Sequence, residues 1–442
     1  MRFQRKILVV AMACALPWMS ANAQSAADLK KEIETLKAQL QMLTQKVEAM
    51  GTQAGGSELV QQVNRLEQKQ DLAADEQEKS GFKGLKINGT IEAAFSYDDL
   101  GRSHNFSATS GSGLDEMGMI QITKESQDGE GIDWTLRLLP GNTTSIVHEA
   151  SISIPVNKEN RIIGGLIPDF QGYEFVFSNA NPLLGSQLIS HNALFDLAGP
   201  TSYAGIGMAH TFANGMYGLK WVVGNIDSGN DTDATNPAVS NQAVKTLGFA
   251  ARGDWFINEF AYVGLSLAHG SVNRNFDIMA IDGGYTHGDW AFNGQLSSGM
   301  QRNAAANGED AAWTGVSGLV SYRVVPRLQL LARADFISNR KNGGGTYVYN
   351  GSSGSASLPG DPVATGLGIG PELDADGLAI DPNVGANLTR LTFGTNYQIN
   401  ANTQWKTEYR VDQSSGYNFL DSDGVTYKKS KTGFATSLVL SF

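Results

Sequence analysis

The sequence predicts an all-β fold: a 16-stranded antiparallel transmembrane β-barrel preceded by a short α-helical coiled coil. Three observations predict this fold. Sixteen segments alternate apolar and polar residues, short and long connections alternate between them, and a strict heptad repeat comes before them. Hydrophobic residues make up 41% of the chain, yet no stretch beyond residue 25 contains 18 consecutive apolar residues. A membrane-spanning helix is therefore not expected there, whereas a strand can cross a membrane with alternating residues.

Residues 1–23 have the organisation of a secretory signal peptide. Arg2, Arg5 and Lys6 form a positive segment, an apolar segment follows, and Ala21-Asn22-Ala23 matches a cleavage site. The single cysteine lies inside this signal, so we expect no disulfide and no thiolate metal site in the mature chain. The chain has 44 acidic and 33 basic residues, and this excess of negative charge argues against nucleic-acid binding.

The heptad repeat predicts a periplasmic coiled-coil helix over 24–56. Its apolar residues are spaced alternately by four and three, and they form a narrow stripe that needs partner helices. A helix packed on its own domain is the alternative. Residues 57–83 are polar and weakly helical, and they are expected to form a linker. The positions of the apolar stripe are Leu29, Ile33, Leu36, Leu40, Leu43, Val47 and Met50.

The barrel is predicted over 84–442, and many of its segments have about the ten residues that a tilted membrane strand needs. In the first segment Ile87, Ile91 and Phe95 face one way, whereas Asn88 and Glu92 face the other. The segments are 84–97, 116–125, 132–140, 146–156, 160–167, 202–213, 215–226, 243–254, 259–270, 275–286, 289–300, 312–324, 327–338, 387–399, 402–413 and 430–442.

Aromatic residues occur at the segment ends that border the short turns. Residues of this type form a girdle where a barrel meets the membrane surface, so we expect one rim of the barrel to carry them. The last of them ends an amphipathic segment, which resembles the C-terminal signal of outer-membrane proteins. The rim residues are Trp134, Phe212, Tyr217, Tyr285, Trp290, Tyr322, Tyr397, Trp405 and Phe442.

Taken together, the signal peptide, coiled coil, sixteen segments and terminal Phe resemble the general porins of Gram-negative bacteria. The coiled-coil prefix is similar to that of sugar porins, and the overall plan is similar to the phosphate-selective porins O and P. The stretch from Gly165 to Glu174 resembles the strand-to-loop segment of the latter family. The resemblance implies a homotrimer in the outer membrane, in contact with lipid and lipopolysaccharide, that passes small hydrophilic solutes without a cofactor.

The connection 168–201, called loop 3 below, is unusually apolar for an exposed loop. The resemblance implies that it folds into the barrel and narrows the channel, with Asp169, Glu174, His191 and Asp196 at the constriction. A loop at a subunit interface is the alternative. Charged residues on the inward phase of the segments are expected to line the pore and to give weak ion selectivity. They are Arg137, Arg252, Arg323, Arg333, Arg390, Lys406, Glu408 and Arg410.

Two other classes of protein remain as alternatives. A barrel enzyme would need a set such as Ser, His and acid, but none of the six His lies in an H-E-x-x-H motif and no G-x-S-x-G occurs. A trimeric surface adhesin also joins a coiled coil to a barrel, but it would have far fewer strands per chain. Aspartates in two loops, at 227–233 and 374–381, lack the spacing of a calcium-binding loop, so no metal is predicted.

Overall fold

The structure is a computed structural model. It describes residues 84–100, 103–107, 118–126, 131–139, 146–175, 179–180, 185–198, 202–226, 247–272, 274–303, 305, 307–344 and 367–442. The predicted signal peptide (1–23), coiled-coil helix (24–56) and linker (57–83) lie outside these residues. Within the described part of the chain, no helix has the length and apolar character needed to cross a membrane.

Sixteen strands of the described residues form a closed antiparallel barrel, as the sequence predicts. Each strand pairs with the next along the chain, and the last returns to the first through the register Thr90↔Ser441 to Asp98↔Gly433. The strands are β1 (Leu85–Asp98), β3 (Met119–Lys124), β4 (Asp133–Leu138), β5 (Val147–Pro155), β6 (Asn160–Pro168), β7 (Ser202–Phe212), β8 (Tyr217–Asn225), β9 (Gly248–Phe256), β10 (Ala261–Val272), β11 (Arg274–His287), β12 (Trp290–Gln301), β13 (Ala311–Val325), β14 (Leu328–Ser338), β17 (Leu388–Asn400), β18 (Thr403–Ser414) and β21 (Ser430–Ser441).

Several short elements lie in connections where the sequence shows no periodic pattern. Strand β2 (Ser103–Ser107) pairs with the end of β1, and helix α1 (Ala193–Ala198) lies in loop 3. The last two long connections contain two-residue pairings, β15 (Gly370–Pro371) with β16 (Gly385–Ala386) and β19 (Phe419–Leu420) with β20 (Tyr427–Lys428). Elements this short contain too few residues for an alternation to be recognised.

Side chains alternate between the outer and inner faces of the barrel. In β18, Trp405 and Tyr409 are about half exposed on the outer face, whereas Lys406 and Glu408 are buried on the inner face. Eight of the nine predicted rim aromatics are exposed, and Trp134 is half-buried. Several form ring pairs, such as Trp290 with Tyr322 at 4.5 Å between centroids. The exposed apolar outer face is the surface that a membrane-embedded barrel presents to lipid.

The inner face is polar only over part of its length, whereas the sequence predicts a pore lined by charged residues. At the end of the barrel that carries the long connections, inward side chains of β7 to β17 are apolar and buried. They pack with Leu194 and Leu197 of loop 3 and with Phe419 from the last long connection. These loop residues cover the apolar wall and exclude water from it. The buried wall residues are Tyr203, Val222, Ala250, Ala268, Phe276, Ile278, Trp313, Ile337 and Leu388.

Candidate functional site

Loop 3 begins directly after Pro168 at the end of β6 and lies against inward side chains of β9 to β18. Near its start, the hydroxyl of Tyr203 donates to Asp169 Oδ1 at 2.6 Å, and the backbone N–H of Gln171 donates to the same oxygen at 2.9 Å. Asp169 is only partly exposed and has protein on most sides. This burial outweighs the hydrogen bonds and raises the pKa of Asp169 to about 7.

Arg252 in β9 holds the next part of the loop. Its guanidinium donates to the carbonyl of Phe170 at 3.0 Å. The same group forms two parallel hydrogen bonds with the carboxylate of Asp282 in β11, at 2.7 and 2.9 Å. This two-point geometry fixes the plane of the guanidinium and therefore the direction in which it reaches the loop.

Wall carboxylates accept backbone N–H groups of loop 3. Glu408 Oε2 in β18 accepts from both Ile189 and Ser190 at 2.9 Å, and Asp335 Oδ2 in β14 accepts from Ala193 at 3.0 Å. A carboxylate that accepts backbone N–H groups forms stronger hydrogen bonds than a neutral acceptor does. These contacts satisfy N–H groups in an irregular segment that has few backbone partners of its own.

Wall cations bind the carbonyl groups of the same segment. Arg333 in β14 donates to the carbonyls of Ser190 at 2.9 Å and His191 at 2.6 Å. Lys406 in β18 donates to the carbonyl of Ser186 at 2.6 Å. Loop 3 is thus attached through both donors and acceptors of its backbone. Because these contacts involve backbone groups, the attachment depends more on the backbone path of loop 3 than on the identity of its side chains.

Two loop carboxylates complete the charge pairing. Glu174 accepts from the backbone N–H of Asn192 at 3.1 Å and lies 3.5 Å from the guanidinium of Arg333. Asp196 in α1 accepts a hydrogen bond from Arg390 in β17, which also pairs with Asp412 in β18 at 2.8 Å. Arg333 and Arg390, which are buried beneath the loop, therefore each pair with a carboxylate, as burial of charge requires.

Leucines of loop 3 fit against wall glycines. Leu188 belongs to a small apolar cluster with Leu319 and Leu331. A Cβ atom added at Gly394 in β17 would lie 2.4 Å from Leu188 Cδ2, and one added at Gly315 in β13 would lie 2.2 Å from Cδ2 of Leu194. Both distances are far shorter than van der Waals contact. The missing side chains at these two glycines provide the space that the leucines occupy.

A family model described as "Putative beta-barrel porin-2, OmpL-like" matches residues 84–442. The chain belongs to this beta-barrel porin family. The match covers the whole of the predicted barrel. No curated protein matches the chain.

Solved structures similar to this porin include outer-membrane proteins. A loop L8 deletion mutant of OmpT, an outer membrane protein of Vibrio cholerae, has a TM-score of 0.50 at 8% identity, covering 81% of this chain and 99% of the other. OmpF of Salmonella typhi in complex with daunomycin has a TM-score of 0.47 at 12% identity, covering 81% and 97%. The outer membrane channel DcaP of Acinetobacter baumannii has a TM-score of 0.46 at 10% identity, covering 81% and 97%. At these identities the likeness to the OmpT variant concerns the fold alone.

The porin places the four residues expected at the constriction in different environments. Asp169 and Asp196 keep partial exposure, whereas the Glu174 side chain is 5% exposed and His191 is 2% exposed. The His191 ring packs on Phe195, with 4.4 Å between ring centroids. Glu174 and His191 therefore lie in the contact between loop and wall and do not face open space.

The residues expected to line the pore also divide into two groups. Arg333, Arg390, Lys406 and Glu408 are each less than 5% exposed, because loop 3 covers them. This corrects the expectation that they face the open lumen. Arg252 is nearly as buried, and the side chains of three others remain partly exposed: Arg137, Arg323 and Arg410.

The wall formed by β3 to β6 carries a separate polar network. Arg137 donates to Gln121 Oε1 at 2.7 Å and lies 3.3 Å from Glu149, while Arg161 pairs with Asp133 at 2.7 Å. The side chains of both arginines keep partial exposure, 17% and 23%. Arg161 was not among the predicted lining residues, although its inward phase in β6 could have indicated it. Among the described residues, no group of three or more His, Cys, Asp or Glu could hold a metal ion.

Proposed function

We propose that this porin is a passive diffusion channel for small hydrophilic solutes, narrowed by loop 3, and that it catalyses no reaction. The observation that carries the proposal is the attachment of loop 3 to the inner wall through Glu408, Asp335, Arg333 and Lys406. A loop that is attached inside a closed barrel reduces the cross-section of the lumen and does not need to move for solutes to pass. Passage through such a lumen would need neither a cofactor nor an energy source.

The solute path is proposed to run along the wall of β3 to β6. Polar side chains remain partly exposed there, with Arg137 and Arg161 each paired to a carboxylate. The opposite wall is covered by loop 3 and by apolar packing. Because the charges along this path are largely balanced, we expect weak ion selectivity and discrimination mainly by size.

We further propose that the channel is a homotrimer in the outer membrane, with its long connections in contact with lipopolysaccharide and its N-terminal helices in the periplasm. The support is the heptad stripe of 24–56, which needs partner helices. The exposed aromatic rim supports a position of the short turns at one surface of the membrane.

The direct test is reconstitution of the purified full chain into planar bilayers and liposomes. We expect stepwise, ohmic conductance and liposome swelling in sugars and amino acids that decreases with solute size. A folded barrel that gives neither conductance nor swelling would contradict the proposal and favour the adhesin or enzyme alternatives. A large reversal potential toward either ion would contradict the weak selectivity alone.

A further inference from the structure

A hairpin in the connection between β14 and β17 places acidic and aliphatic side chains on one face. Leu373 bridges to Ala379, Asp374 N donates to Leu378 O at 2.9 Å, and Ile380 N donates to Glu372 O at 2.9 Å. Neighbours along a strand point to opposite faces. Four residues therefore share the face away from Leu373: Glu372, Asp374, Leu378 and Ile380. We call these four residues, together with Val425 in the next connection, the cap face.

The aliphatic residues of the cap face are strongly exposed. Leu378 is 66% exposed and Ile380 is 63% exposed, whereas Leu373 on the other face is 1% exposed. Val425, in the tip between β19 and β20, is 76% exposed. The two tips touch, because a Cβ atom added at Gly377 would lie 2.3 Å from the Tyr427 ring. Grouped exposed aliphatic residues, unlike single ones, mark interaction surfaces.

The cap face is held in one conformation by hydrogen bonds and burial beneath it. Asp374 Oδ1 accepts from the backbone N–H groups of Asp376 at 3.0 Å and Leu378 at 2.9 Å, which closes the turn. Asn418 donates to the carbonyl of Pro371 at 2.6 Å and joins the two connections. Phe419 is 1% exposed within the apolar cluster. A surface already ordered before binding loses less conformational entropy when a partner binds.

The segment that forms the hairpin is negatively charged. Residues 367–386 contain four acidic residues and no basic one. In the neighbouring tip, Lys428 is paired with Asp421 at 2.6 Å. Hydrogen bonds from Thr426 and nearby backbone N–H groups lower the pKa of Asp423 to about 2, so this carboxylate stays ionised at neutral pH. The surface therefore complements a partner with positive charge between apolar groups.

We propose that the cap face binds a polypeptide segment that alternates aliphatic residues with Lys or Arg. Its aliphatic side chains contact Leu378, Ile380 and Val425, and its cations pair with the carboxylates of 372–381. Such binding goes beyond passage of solutes through the barrel and does not depend on conductance. Removal of the aliphatic contacts and removal of the charges should each weaken it.

The test measures binding of fluorescent synthetic peptides to the full chain in phospholipid nanodiscs, by fluorescence anisotropy. The probe is an alternating Leu-Lys peptide, and an alternating Leu-Glu peptide is its control. The double variant Leu378→Asn with Ile380→Asn removes the aliphatic contacts, and Glu372→Gln with Asp376→Asn removes two charges. Glu159→Gln is the matched control, because its side chain is exposed in the short turn between β5 and β6, at the other end of the strands.

We expect the Leu-Lys peptide to bind the unchanged chain, with at least tenfold weaker binding to either double variant and no change for Glu159→Gln. A heat-modifiable band on gels verifies that each variant is folded. Equal binding of the Leu-Glu peptide, or equal binding by the double variants, overturns the proposal. Binding of lipopolysaccharide vesicles through these residues with no peptide binding also overturns it.

Discussion

Glu408 accepts the backbone N–H of Ser190 at 2.9 Å across a sequence separation of 218 residues. This contact joins a wall strand near the end of the chain to a loop inserted after the fifth barrel strand. The same carboxylate oxygen accepts the N–H of Ile189. Glu408 is 4% exposed, so loop 3 shields these bonds from water. Removal of this carboxylate should therefore loosen the attachment of loop 3 to the wall and leave the strand pairing of the barrel unchanged.

Substitution Glu408→Ala leaves the buried backbone N–H groups of Ile189 and Ser190 without their acceptor. A buried N–H group that is left without an acceptor typically costs about 1–3 kcal/mol. We expect a lower unfolding midpoint in denaturant and noisier, larger single-channel currents. The matched control is Glu125→Ala, which removes only the exposed pair with Lys86. An unchanged midpoint and unchanged current for Glu408→Ala would show that the loop does not depend on this residue.

Substitution Gly394→Ala tests the fit between loop and wall. The added methyl group would lie 2.4 Å from Leu188 Cδ2 in the present position, so the leucine must move. Overpacking of this kind costs about 1–3 kcal/mol. The double variant, Gly394→Ala with Leu188→Ala, removes the clash and should recover part of the lost thermal stability. If the decreases in unfolding temperature of the two single variants simply added in the double variant, these two residues would not share the same space.

Cysteine labelling compares the two walls of the lumen. We expect Thr135→Cys and Ser153→Cys, on the wall of β3 to β6, to react with a small cationic thiol reagent and to reduce conductance. Both positions are partly exposed. The control is Thr392→Cys on the covered wall, which is fully buried and should react at least tenfold more slowly. Equal reactivity of the three cysteines would contradict a path along one wall.

The protonation of Asp169 should make both the stability and the ion selectivity of the channel depend on pH. Burial raises the pKa of Asp169 to about 7, so the folded state favours the protonated carboxyl. A raised carboxyl pKa contributes stability below the ordinary pKa, and that contribution decreases as pH rises toward 7. Deprotonation also adds negative charge beside the lumen, so cation preference should increase between pH 5 and pH 8. Reversal potentials for the unchanged chain and for Asp169→Asn check this, with the variant expected to show a smaller change.

Strand β18 and loop 3 show how much of the structure the sequence predicts. Alternation of Trp405 and Tyr409 with Lys406 and Glu408 was sufficient to assign the outer and inner faces. The apolar content of loop 3 indicated that it would not be exposed. The sequence did not indicate which wall residues the loop would cover, because that depends on where an irregular segment meets strands as far as 220 residues away along the chain.

Strand number, strand phase and the aromatic rim were determined by the sequence itself, because each strand carries its own period-two pattern and the membrane requires that pattern locally. The tertiary structure alone decided that Arg333, Arg390 and Lys406 are buried by loop 3, and that Arg137 remains partly exposed. Both groups have the same inward phase. Their environments differ because the position of an inserted loop is set by many long-range contacts, which no local pattern records.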